Sequence, residues 1–76
     1  MDTLQLVFGV VVILKRNYPK FDDVQFVLKE DKDKHAISGE FLGVYDGGWH
    51  SSDETDLIHE FVGLSELQDI INLYIK

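Results

Sequence analysis

The chain opens on an apolar run, Leu4 to Leu14, broken only by Gln5 and Gly9. Leu4, Val7, Val11, Leu14 and Tyr18 recur at helical spacing on one face. Asp2 or Thr3 can cap the start, Lys15 and Arg16 suit the negative end of the dipole, and Pro19 stops the run. Val10-Val11-Val12-Ile13 and Gly9 pull the other way, because β-branched side chains lose rotamer freedom in a helix and glycine weakens one. We read the segment as a helix, with a strand as the alternative. In either form it is apolar on more than one side, which a single small sheet does not cover, and a homodimer is therefore expected.

The remaining pattern alternates with period two and then returns to the helical period. Val24–Leu28 reads as a strand, Glu30-Asp31-Lys32-Asp33-Lys34 as a charged hairpin turn, and Ala36–Tyr45 as the partner strand with Ile37, Phe41 and Val44 as its apolar positions. Gly39 and Gly43 mark a bulge or a close backbone approach. Asp46-Gly47-Gly48 signals a turn, and Leu57–Val62 a third short strand. Ser65 is a good N-cap for a terminal helix, with Glu66 and Asp69 in its first turns and Leu64, Leu67, Ile70, Ile71, Leu73, Tyr74 and Ile75 as its apolar content. The expected fold class is α+β in the order α-β-β-β-α: a small three-stranded antiparallel sheet with a C-terminal helix. Four strands plus a helix is the alternative.

Length and composition narrow this picture. Residues 1–76 make a single domain. A chain this short buries only about 60–65% of its unfolded surface, so it is marginal alone. There is no cysteine, hence no disulfide and no thiolate metal site, which suits a cytoplasmic protein. The apolar run is about half the ~20 residues of a membrane span, and it lacks the basic start and small-residue cleavage site of a signal peptide, so no membrane association is expected.

Charge changes the picture most. Every Lys and Arg except Lys76 lies within residues 1–34, where six basic residues meet six acidic ones. Residues 35–76 carry Glu40, Asp46, Asp53, Glu54, Asp56, Glu60, Glu66 and Asp69, so the formal charge of −7 belongs to the second half. Such a field repels nucleic acid and anionic membrane and attracts basic surfaces, including grooves that hold phosphates. The connection Asp46–Asp56 contains the only tryptophan, Trp49, among four carboxylates. It is longer than the roughly four to six residues usual in compact domains, and such loops often bind partners. The candidate partner-binding residues are Asp46, Trp49, Asp53, Glu54, Asp56 and Glu60.

Catalysis finds no support. There is no Cys nucleophile, Ser51-Ser52 beside His50 is no triad signature, and no Gly-rich phosphate loop is present. His35, His50 and His59 fall into neither an HExxH helix nor an EF-hand pattern, so neither a metal nor a cofactor is expected. We expect a non-enzymatic, acidic protein-binding module. Its expected target is a basic groove on a nucleic-acid-processing protein, which it would inhibit. In composition, and in no motif, the chain is similar to phage-encoded inhibitors that occupy nucleic-acid-binding sites. Eight carboxylates match the charge on roughly 14 Å of duplex, so one subunit imitates less than half of a helical turn of about 34 Å. The alternative is a structural or assembly subunit that docks through its apolar N-terminal segment.

Overall fold

The computed structural model describes residues 3–31, 36–45 and 54–75. They form α1 (Thr3–Asn17), β1 (Asp23–Asp31), β2 (Ala36–Tyr45), β3 (Glu54–Val62) and α2 (Gly63–Tyr74). The strands make an antiparallel sheet in the order β1-β2-β3, so the order is α-β-β-β-α as read from the pattern. The first segment is helical in spite of its β-branched run. Val7, Val10 and Leu14 recur at helical spacing and are buried, and burying that face outweighs propensity differences of a few tenths of a kcal/mol per residue. Gly9 serves packing here, since Ile75 at the end of α2 occupies the space a side chain would need.

One core cluster holds the molecule together. Val7, Val10 and Leu14 of α1 and Leu67 and Ile71 of α2 share it with Val24, Phe41 and Phe61 of the three strands. Because both helices enter the same cluster, they lie on the same face of the sheet. α1 packs on β1, while α2 packs on β2 and β3. Phe26 stands opposite Phe41 in the register, with ring centroids 4.9 Å apart, and also stacks on Phe61 at 5.9 Å. The large rings on this face need glycine opposite them. Phe61 faces Gly39 across β2 and β3, and the Phe21 ring lies on Gly43.

Three local readings are corrected by the structure. β1 runs on to Asp31, so Glu30 and Asp31 belong to the strand rather than to the hairpin turn. Val44 pairs with Asp23 and falls on the face opposite Phe41, because residues an odd number apart on a strand point to opposite sides. It is buried all the same. Ser65 is not the N-cap of α2. Helix α2 begins at Gly63, whose φ of 84° makes the strand-to-helix corner, and Val62 takes the cap position. Its backbone N–H donates to the Glu66 carboxylate at 2.5 Å, which ties the strand end to the first turns of the helix, while no side chain caps the first-turn N–H groups themselves.

Candidate protein-docking site

The sheet order turns the charge asymmetry of the sequence into an asymmetry of the molecule. α1 and β1 form one side, and residues 3–31 carry four basic and four acidic side chains. β3 and α2 form the other, and residues 54–75 carry Glu54, Asp56, Glu60, Glu66 and Asp69 with no Lys or Arg. All five acids are exposed. The neutral half and the acidic half of the chain thus become opposite flanks, with β2 between them.

Glu54, Asp56 and Glu60, three of the expected binding residues, all lie on β3, which is an edge strand. Glu54 and Asp56 are therefore strand residues rather than members of a loop. Asp46, Trp49 and Asp53 lie outside the described residues.

The register shift between Phe41 and Leu42 decides where the three acids point. Phe41 pairs with His59 and Leu42 with Leu57, which leaves Ile58 as the extra residue of a bulge, packed against the core. Glu60 then stands directly opposite Glu40, on the face without helices. Like charges in that position repel. Lys29 of β1 reaches Glu40 at 3.1 Å and neutralises that one. Among the described residues Glu60 has no ion pair. A shallow cleft of about 170 Å³ opens beside the two glutamates, lined by Lys29, Ser38 and Val62.

On the other face, Tyr45 donates its hydroxyl to Asp56 Oδ2 at 2.8 Å. That hydrogen bond, with the negative charges of Asp56 and Glu54, pushes the Tyr45 phenol above its ordinary value. Tyr74 is also raised, first by burial and then by Tyr18, and its hydroxyl shares a 2.7 Å hydrogen bond with His59 Nε2. The folded state holds both protons more tightly than the unfolded chain, whose tyrosines titrate near pH 10. The stability so linked is complete below that pH and declines as pH rises through the raised values. Absorbance titration of the phenolates should therefore show two late-titrating tyrosines. Asp56→Asn should bring Tyr45 back down and leave Tyr74 late; an unchanged titration curve would mean that the Tyr45–Asp56 contact does not form in solution.

The neutral flank has its own ion pair. Lys15 of α1 lies 2.7 Å from Asp23 at the start of β1. Lys15 first, and the Val24 N–H second, hold the Asp23 carboxyl below its usual range. This contribution is present above about pH 4 and is lost on acidification. It is small, because both side chains are exposed.

Two features of the surface need the structure to be seen. The Glu40–Glu60 pair depends on register across a bulge. The apolar outer flank of α1 is Leu4, Phe8 and Val12, which are 55%, 60% and 47% exposed. Its signal was in the sequence, as a second stripe at i, i+4 and i+8 beside the buried one. Among the described residues no group of three His, Asp or Glu side chains could hold a metal ion. None of the described helices is long and apolar enough to cross a membrane. No family model, no curated protein and no solved structure matches the chain.

Proposed function

We propose that this is a small acidic protein-binding module whose β3–α2 flank docks on a basic protein surface. The observation that supports this most is the clustering of five exposed carboxylates without any Lys or Arg on the elements β3 and α2. A surface of one sign gains little affinity from each charge but speeds encounter with its opposite and excludes like-charged partners. Nucleic acid is one such excluded partner. Proteins that hold nucleic acid display basic grooves, and an inhibitor that occupies such a groove is the narrower form of the same proposal. Its place would be the cytoplasm, in keeping with a chain that uses no cysteine.

The test is capture from a cell lysate on the immobilised protein, with washes of rising salt, beside a variant carrying Glu54→Gln, Glu60→Gln and Asp69→Asn. Glu66 and Asp56 are left alone because they bond Val62 and Tyr45. A basic protein should be retained at low salt, released as the Debye length falls below about 8 Å, and lost with the variant. Retention by the variant at high salt would move the docking site to the apolar flank of α1.

A further inference from the structure

The α1 flank carries an inference independent of the acidic docking site. We infer that Leu4, Phe8 and Val12 form the interface of a two-fold homodimer in which two α1 helices pack antiparallel.

The position of the stripe is fixed from both sides of the helix. Lys15 continues the same flank and pairs with Asp23 on β1. Gly9, on the opposite flank, is filled by Ile75 beyond α2. Toward Lys15 the stripe therefore lies on the β1 side of the helix, whereas at Leu4 it turns toward the first turns of α2. At its N-terminal end it runs into an apolar groove of about 290 Å³ lined by Leu4, Phe26, Leu28, Ile37, Leu64 and Leu67. Leu28, Ile37 and Leu64 are themselves 59%, 40% and 62% exposed. At about 200 Å² for a whole large side chain, the stripe and groove together expose on the order of 600 Å² of apolar surface. That is the upper end for the largest patch of a monomer, and close to the roughly 800 Å² that each partner gives to a standard interface.

Charge selects the occupant. Each chain carries −7, so two copies repel unless they meet where the charge is absent. The α1–β1 flank is the neutral one. Joining there keeps the two acidic flanks at the far ends of the dimer. Spacing selects the orientation. A ridge at i, i+4 and i+8 is self-complementary about its middle residue: Phe8 of one copy meets Phe8 of the other, and Leu4 meets Val12. The antiparallel arrangement also opposes the two helix dipoles, whereas a parallel one would set Lys15 and Arg16 against their own copies.

Sedimentation equilibrium at micromolar concentration should give twice the 8.7 kDa chain mass. The dimer should tighten with salt, because salt screens the repulsion between the chains and leaves the apolar contact intact. Phe8→Glu should sediment as a monomer with an unchanged circular dichroism spectrum. The natural chain has no cysteine, which permits a second test that does not depend on that variant folding. Under mild oxidation Phe8→Cys should convert to a covalent dimer, while Leu73→Cys, equally exposed but on α2, should not. A monomer mass throughout, a Phe8→Glu variant that still dimerises, or equal cross-linking at the two positions would overturn the inference.

Discussion

Phe41→Ala is expected to remove a large part of the stability of the domain. Phe41 is fully buried in the central strand, beneath both helices and against the Phe26 ring. Truncating a buried phenylalanine costs about 3–5 kcal/mol, the transfer term plus the cavity left behind. A chain of this length holds about 4–11 kcal/mol in all, at roughly 0.05–0.15 kcal/mol per residue. Urea denaturation at fixed protein concentration should therefore show a midpoint lowered by about a quarter or more, or no folded baseline at all. Leu73→Ala is the control, because Leu73 is 62% exposed on α2 and outside the core cluster. If the two variants lost stability equally, the assignment of inner and outer faces would be wrong.

Gly39→Ala should be the second severe change, although it adds only one methyl group. The new Cβ would sit 2.6 Å from the Val27 carbonyl oxygen and 2.6 Å from the tip of the Phe61 ring. Neither can retreat: one is backbone in the neighbouring strand, and the other is a fully buried ring. Alanine would gain about 0.4–1 kcal/mol by restricting the unfolded chain. Forcing the strands apart or displacing Phe61 costs about 1–3 kcal/mol, so the net effect is destabilising. Thermal unfolding should show a lower midpoint for Gly39→Ala, and an equal or higher midpoint would mean that β2 and the Phe61 ring do not pack as closely as described.

These two positions show what the sequence made legible. The apolar periods placed all three strands and both helices in order, and Gly39 was readable as a bulge or a close backbone approach, of which the second holds. The first segment was ambiguous because propensity and periodicity disagreed over Val10–Ile13. Burial of Val7, Val10 and Leu14 decided it, and that depends on the rest of the fold. Charged residues hid the length of β1, since Glu30 and Asp31 resemble a turn until β2 is placed beside them. The bulge at Ile58 was not legible because β3 does not alternate: Leu57-Ile58 and Phe61-Val62 are adjacent apolar pairs, so its sequence alone fixes neither the face nor the register. Once the bulge is present, Glu60 falls opposite Glu40 and the carboxylates on β3 divide between the faces.

The charge segregation itself was visible as two halves of a linear chain. Its spatial meaning required the strand order. Had β3 inserted between β1 and β2, the acids would lie beside the lysines and no acidic flank would exist. Because the order is β1-β2-β3, the sequence halves become molecular flanks. One is the neutral flank proposed to meet a second copy of the chain, and the other is the acidic flank proposed to meet a basic partner.

The most direct test of that division is an NMR titration of the isotope-labelled protein with an arginine-rich peptide, at low and at physiological salt. The account predicts amide shifts concentrated on β3 and α2, strongest around Glu54, Glu60 and Asp69, and much weaker at the higher salt. Shifts concentrated on α1 and β1, or spread evenly over both flanks, would contradict it.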